Sequence, residues 1–464
     1  MNKKFYITAA IPYVNAKPHI GHVLEFVQVD TVKRFHKLLG EDSVSLSGGD
    51  ENALKNVQAA EKIGRPIQEF VDENTESFRQ LAIALNAKFS YWQKGSDKKT
   101  HYPSSQKLWT LCQKDIYKKK YHGLYCVGCE AFYTLEELNE NGECFEHPGK
   151  KLDEVEEENY FFKLSAYQDK LLDLIQSDTL KIVPEFRKNE VLSFLKSGLQ
   201  DISISRSNER AKNWGIPIPD DQNQRIYVWF DALNIYRSGI PDEFWPADVH
   251  AIGKGITRFH AVYWPAFLLS AGLKLPKTIL IHGYLTVNGA KISKSNPESV
   301  IDPFPLVGKY GADAIRYYLL SKINPFGDGD FSEDKLKEVY NADLANGLGN
   351  LVARVAKLAE KINLEVKLEK PRSFEEVTSA LDEFHFDWAL AFLWQKITHI
   401  NQEFDAREPW KLNDDELRIF LKLICANIYD LAFNLQPFIP TTGEKILQQF
   451  SGRIISQPPL FPRL

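Results

Sequence analysis

His19-Ile20-Gly21-His22 and, far downstream, Lys291-Ile292-Ser293-Lys294-Ser295 are the stretches whose joint reading decides the fold. Either alone is short enough to arise by chance. In this order, each where a strand gives way to a helix or loop, they describe a nucleotide site closed by two loops. His19 and His22 stand three apart on one face of a first helical turn. Backbone N–H groups and the helix dipole favour a phosphate there. Two imidazoles could also ligate a metal, but no acidic or thiol partner is local. Lys291 and Lys294 bring ammonium charges suited to a polyphosphate, on a polar loop bracketed by Gly289 and Pro297. A Lys-Ser run alone reads as solvated loop. Paired with the histidines, it reads as a lid carrying charge to a departing pyrophosphate. Such equipment activates a carboxylate with ATP.

Working outward, residues 5–11 read as a buried strand stopped by Pro12. Leu24, Val27, Thr31, Phe35 and Leu38 recur at helical spacing, and residues 43–47 form a second strand before Gly48-Gly49-Asp50. Strand, helix, strand opens a parallel βαβ unit. The pattern breaks near 116–152 and a second α/β stretch follows, with β-rich runs at 226–230, 249–252 and 278–285. After Pro325 the chain reads as wholly helical, with amphipathic stripes at Leu344, Leu348, Leu351, Val355 and Leu358 and at Phe386, Leu390, Leu393, Ile397, Ile400 and Phe404. The expected architecture is an α/β, Rossmann-like parallel sheet split by an insertion and followed by an all-α helix bundle. Its expected divisions are 1–115 and 226–325 for the two catalytic halves, 116–225 for the insertion and 326–464 for the bundle.

The 464 residues are too many for one core. An apolar fraction of 44% and a charged fraction of 26% are ordinary for a soluble globular protein. No apolar run approaches the roughly 20 residues of a membrane span. The start runs straight into a strand without signal-peptide architecture, so the cytoplasm is the expected compartment. A net charge of −5 speaks against a generally basic nucleic-acid binder and leaves room for a polyanion held by local patches. Met1 is the sole methionine; Leu, Ile and Phe fill cores equally well, so the scarcity reads as drift.

Two further constellations carry chemistry. Cys126-x2-Cys129 followed by Cys144-x2-His147 places two short-spaced ligand pairs on separate turns, which can close a tetrahedron with no open position. That set predicts one structural zinc in a knuckle at about 121–150, whose loss unfolds the knuckle. Cys112 and Cys425 read as buried small hydrophobes. Tyr13, Trp229, Ala232, Tyr236, Phe259, His260 and Trp264 are aromatic and small residues near expected strand ends, where open α/β sheets bind ligands. Such residues are more often core. As a pocket they would suit a thioether, which makes favourable contacts with rings. Asp50 could pair with a ligand ammonium or simply form a turn.

These segments resemble the methionyl-tRNA synthetases, class I aminoacyl-tRNA synthetases, across essentially the whole chain. The resemblance lies in Ala10-Ile11-Pro12-Tyr13-Val14-Asn15 leading into His19–His22, and in Glu157-Glu158-Asn159-Tyr160-Phe161-Phe162. It continues through Tyr227-Val228-Trp229-Phe230-Asp231-Ala232-Leu233, Arg258-Phe259-His260-Ala261-Val262-Tyr263-Trp264-Pro265 and residues 287–295. It implies ATP-dependent conversion of L-methionine to methionyl-adenylate, with Mg2+ accompanying ATP, then transfer to tRNA(Met), including the initiator. His19, His22, Lys291 and Lys294 would serve the phosphates. Ile11, Tyr13, Asp50, Trp229, Ala232, Leu233, Tyr236 and His260 would form the methionine pocket, with Asp50 on the ammonium. Asn350, Arg354 and Trp410 would read the anticodon, a flat indole and a guanidinium being suited to unstacked bases. Read without the resemblance, Arg354 is a solvated helix face and Trp410 a core residue.

Departures from the family are Ile292 for the loop methionine, Gly255 for the usual Asp, and Gly49 and Asn52 for the commoner Thr and His. The end at Leu464, without an extra C-terminal module, leads to the expectation of a monomer. Two rival readings remain: a paralogue that binds tRNA without charging it, and a class I enzyme for another amino acid. The insertion is too short for a large editing domain, which speaks against the isoleucine and valine enzymes.

Overall fold

The computed structural model describes residues 3–464 except 130, 134, 145, 147, 148 and 293–298, and only the backbone at 121, 131, 132, 136 and 291. The chain groups into two compact units. The first comprises Met1–Pro18, Gly40–Gln80 and Phe89–His282; the second comprises His19–Leu39, Leu81–Lys88 and Gly283–Leu464.

The first unit is built on a six-stranded sheet in the order Tyr91–Lys94, Asp42–Gly49, Lys4–Thr8, Val249–Gly253, Thr278–His282, Lys181–Val183. Every neighbouring pair is parallel. The central strands are apolar on both faces, as parallel strands covered on both sides must be; Ile7, Leu46, Ala251, Ile279 and Ile281 are wholly buried. The order reverses between Lys4–Thr8 and Val249–Gly253, and such a switch point opens a crevice outside the carboxyl ends of the strands. An antiparallel sheet interrupts the alternation: Ile116–Cys126 pairs with Asp153–Phe162, flanked by Ala131–Tyr133 and Ile202–Ser203.

Two expectations are corrected here. Residues 226–230 are not a strand: the strand is Asp221–Ile226, and Val228–Ser238 is a helix. Every residue from Val228 to Tyr236 is buried. Residues 226–230 are all apolar, and so short a run cannot be told from a buried strand. Residues 278–285 likewise split. Thr278–His282 stays in the large sheet, whereas Leu285–Val287 joins a small second-unit sheet with Ala290–Lys291 and Gly329–Phe331.

In the second unit, Ile20–Leu38 stands with the helices after 303. The second expected stripe is observed, with Phe386, Leu390, Leu393, Ile397, Ile400 and Phe404 buried; in the first, Leu344, Leu348, Leu351 and Val355 are buried but Leu358 is only partly so. The region after 325 is not wholly helical, since Gly329–Phe331 is a strand and Glu365–Val366 pairs with Gly452–Arg453. Arg316 is wholly buried in this unit, donating to Asp30 Oδ2 at 2.8 Å, Phe438 O at 2.7 Å and Pro437 O at 2.8 Å. Among the described residues no helix is long and apolar enough to cross a membrane.

Candidate active site

His19 caps the Ile20–Leu38 helix from extended backbone, and the cap is built from imidazoles. The His19 Nδ1 accepts from Gly21 N at 3.2 Å, and the His22 Nδ1 accepts from His19 N at 3.1 Å. This is a reciprocal capping box with histidine in both roles. The ring centroids lie 4.0 Å apart. Burial holds His19 down to about 4 and His22 well below its usual value, so both rings are neutral at pH 7. With its Nδ1 accepting, the neutral His19 ring carries its proton on Nε2, an N–H donor at the positive end of a helix dipole; the His22 Nδ1 also lies 3.3 Å from His19 O. A Cβ on Gly21 would lie 3.0 Å from His19 Cε1, tighter than ordinary van der Waals contact, so glycine suits the cap there.

That Cβ would also lie 3.4 Å from Ile292 Cδ1. The second signature loop therefore reaches the first turn through the residue that replaces the family's methionine. Lys291 pairs its backbone with Thr286 in a hairpin whose turn, Asn288-Gly289, has φ of 49° and 77°. Asn-Gly is the preferred turn for a two-residue hairpin, a signal readable in the sequence and missed there. Asp330 Oδ1 accepts from Gly289 N and from Thr286 Oγ1, each at 2.7 Å. Lys294 lies outside the described residues.

The first unit brings the aromatic set together. Tyr13 and Asp50 form a backbone bridge, and Asp50 is buried where the Asp42–Gly49 strand ends. Tyr13 meets Trp229 edge-on at 5.9 Å, and Trp229 stacks on Phe259 at 3.7 Å. The His260 ring lies 6.2 Å from Trp229. His260 Nδ1 donates to Ile256 O at 3.0 Å, so its Nε2 accepts from Tyr236 Oη–H at 2.7 Å. Burial holds this imidazole down to about 4, so it is neutral at pH 7. Ala232 and Leu233 are buried on the same helix as Trp229 and Tyr236; Ile11 is partly buried and packs on the same core.

Trp264 belongs to the core instead, wholly buried and 6.0 Å from Trp245. Phe259 is a true ring partner of Trp229. The Ile256 carbonyl and His250 were not legible. His250 sits 4.4 Å from the Tyr236 ring and shares a 2.7 Å hydrogen bond with Thr8, a residue far away in sequence. Gly255 lies in the turn Lys254–Ile256 and offers no carboxylate.

Cys126, Cys129 and Cys144 converge, with Sγ separations of 3.3 Å from Cys126 to Cys144 and 3.7 Å from Cys129 to Cys144. Disulfide sulfurs lie about 2.05 Å apart; thiolates at roughly 2.3 Å from a tetrahedral zinc lie about 3.8 Å from each other. The spacing fits metal ligands. His147 lies outside the described residues. Two knuckle carbonyls are tied to the aromatic set: Trp229 Nε1–H donates to Cys129 O at 3.1 Å, and Lys55 Nζ donates to Gly128 O at 2.9 Å. The same ammonium rests 3.1 Å from the Tyr13 ring centroid.

In the second unit, Asn350 begins the Asn350–Lys361 helix. Arg354 pairs with Asp405 and lies 4.7 Å over the Phe404 ring. Trp410 is 54% exposed, which removes the core reading. A cavity of about 470 Å³ is lined by Arg354, Lys357, Leu358, Glu360, Lys361, Phe404 and Trp410; Asn350 is not part of that lining.

Residues 5–356 match the family described as tRNA synthetases class I (M). The methionine–tRNA ligase of Brucella suis biovar 1 (strain 1330) is 42% identical over 476 residues, covering 96% of this chain and 91% of that protein. The methionine–tRNA ligase of Thermotoga maritima is 39% identical, covering 97% of this chain and 75% of its own. Among solved structures, Mycobacterium tuberculosis methionyl-tRNA synthetase in complex with methionyl-adenylate superposes with a TM-score of 0.90 at 34% identity, covering 99% of this chain and 100% of that one. With imidazole cap, buried aromatic set and thiol cluster already in place, this extent of likeness is decisive: the chain belongs to the class I tRNA synthetases of the M family.

Proposed function

We propose that this chain is a methionine–tRNA ligase. It activates L-methionine with ATP and then esterifies the 3′ end of tRNA(Met), initiator included. A methionine carboxylate oxygen attacks the α-phosphorus, the bond to the β-phosphate bridging oxygen breaks, and pyrophosphate leaves. A terminal ribose hydroxyl then attacks the adenylate's carbonyl carbon and AMP departs. Neither step needs a protein nucleophile, so positioning and charge stabilisation supply the catalysis. The observation that carries this reading is the buried cage of Trp229, Phe259, Tyr236 and His260 beside Asp50. Its neutral rings suit a thioether, and the Asp50 carboxylate suits the α-ammonium. Tyr13, Ile11, Ala232 and Leu233 complete the pocket in this proposal.

His19 and His22, neutral rings at the helix N-terminus, serve the phosphates, and Lys291 and Lys294 add charge as pyrophosphate departs. Mg2+ accompanying ATP would supply further neutralisation of phosphate charge. One structural zinc is held by Cys126, Cys129, Cys144 and His147. Residues 326–464 carry the anticodon-reading Asn350, Arg354 and Trp410. We propose a cytoplasmic monomer.

Methionine-dependent ATP–pyrophosphate exchange tests the reading, run beside the other amino acids. Exchange with methionine alone is expected; exchange with none would leave the paralogue that binds tRNA without charging it, which Gly255 favours.

A further inference from the structure

Methionine has two ends, and the proposed function assigns them to different elements. Its ammonium goes to Asp50, beyond the Asp42–Gly49 strand; its thioether goes to rings of the Val228–Ser238 helix. The bond that joins these elements directly is polar and buried. Asn52, two residues beyond Asp50, donates from Nδ2 to Asp231 Oδ2 at 2.6 Å and to Gly95 O at 2.8 Å. Tyr102 Oη–H donates to Asn52 Oδ1 at 3.4 Å. The other Asp231 oxygen bonds His101 Nε2, and His101 Nδ1 bonds Ser238 Oγ at 2.7 Å. His101 is 0% and Asp231 1% exposed.

Helical geometry shows what this grip does. At about 100° per residue, Trp229, Ala232, Leu233 and Tyr236 fall within one narrow face. Asp231, Asn234 and Ser238 fall on the opposite face. His101 therefore holds the back of the helix at its first and last turns, and Asn234 adds bonds to Ser104 and Ser105 at 3.0 and 3.1 Å. Rotation of the helix is blocked from behind, and its distance from the Asp50 segment is set by Asn52. A carboxylate this deep persists only when its oxygens are bonded, so the arrangement is stiff. The series Ser238, His101, Asp231 is not a hydrolytic triad: the imidazole is wholly enclosed and both its nitrogens are taken.

We propose that Asp231, His101 and Asn52 are positioning residues that fix the spacing between the ammonium site and the ring cage, and thereby the side-chain length the enzyme accepts. This rests on the methionine reading of the pocket. The test is ATP–pyrophosphate exchange by the full chain with methionine and with ethionine, one methylene longer. Asn52→Ala and His101→Ala are each expected to raise the methionine KM about 10-fold or more, with the ATP KM within about 2-fold and kcat within about 3-fold. The methionine-over-ethionine ratio of kcat/KM should fall by about 5-fold or more, because a loosened helix accommodates the extra methylene.

His101→Gln, whose amide can still donate to Asp231, should restore most of the methionine KM. Where the alanine variants do not fold, Tyr102→Phe, which removes one bond to Asn52, is expected to shift the same ratio about 2-fold to 4-fold. A lowered melting temperature with KM and ratio unchanged would make the network merely structural and overturn the proposal; so would a parallel rise of both KM values. Wild-type protein without methionine-dependent exchange would overturn the functional reading, and this inference with it. Wild-type exchange with unaltered variants would overturn this inference alone.

Discussion

At Gly21 a single missing Cβ lets His19 fold back to cap its own helix. Gly21→Ala puts a methyl 3.0 Å from the ring carbon, and the imidazole has to yield by a few tenths of an ångström. We expect kcat for pyrophosphate exchange to fall about 10-fold, some 1.4 kcal/mol of barrier, with the methionine KM within about 2-fold. An equal loss in methionine binding would place the effect elsewhere. Trp410 is the other residue whose exposure defines its role, because an indole 54% open to solvent contributes little to a core. Trp410→Ala should raise the apparent tRNA KM in the charging assay, stacking being worth about 1–3 kcal/mol per base, and leave pyrophosphate exchange unchanged. A fall in exchange would mark it as structural. The nature of Cys126, Cys129 and Cys144 was plain from their spacing. Ile256 and His250 gave no signal, since a backbone carbonyl is present at every residue and a lone histidine in a strand is usually core.

The knuckle acts at the scale of elements. Its Cys129 and Gly128 carbonyls are held by Trp229 and Lys55, and both of those touch Tyr13. Removing the metal should therefore do more than unfold a surface loop. Chelation is expected to raise the methionine KM several-fold while the ATP KM stays within about 2-fold, and added zinc should reverse it. An unchanged methionine KM in protein shown to be metal-free would remove the coupling. At the same scale the Asn288-Gly289 turn could have been read from sequence, because only that dipeptide's tolerance of positive φ suits so tight a hairpin. The start of the Val228–Ser238 helix was harder: residues 226–230 are a continuous apolar run that fits a strand equally well, and the helical spacing shows only once Asp231, Asn234 and Ser238 are read with it.

Across the whole molecule, buried ionisable groups set the response to acid. His260 is held at about 4 where an unfolded histidine titrates near 6.5. Between those values the unfolded chain binds a proton that the native ring does not, so stability falls as pH drops from about 6.5 to about 4 and levels below. Two and a half units correspond to roughly 3 kcal/mol from this ring. His22 and His250 are lowered too and act with the same sign. Denaturation midpoints across that window should fall less steeply in His260→Gln than in the wild type; identical slopes would refute the assignment. In the second unit, Arg316 joins Asp30 of the Ile20–Leu38 helix to the carbonyls of Pro437 and Phe438. Arg316→Met leaves that buried carboxylate to Arg34 and Lys33 and should cost about 3 kcal/mol in urea denaturation, in line with broken buried pairs. A loss below about 1 kcal/mol would show that Arg34 and Lys33 suffice.

The sequence by itself determined the parallel α/β framework, the capped first helix, the thiol set and the amphipathic stripes of the helical region. All of these rest on short-range spacing, a quantity a linear chain displays directly. Only the tertiary structure decided that Phe259 stacks on Trp229 while Trp264 packs beside Trp245, that Ile292 lies near Gly21, and that Asn52, His101 and Asp231 form one network. Those facts depend on which residues far apart in the chain come to share a few ångströms, and no local period records that. The two signature stretches were legible because each is contiguous, whereas the brace behind the pocket was not because each of its residues, read alone, is an ordinary buried polar side chain.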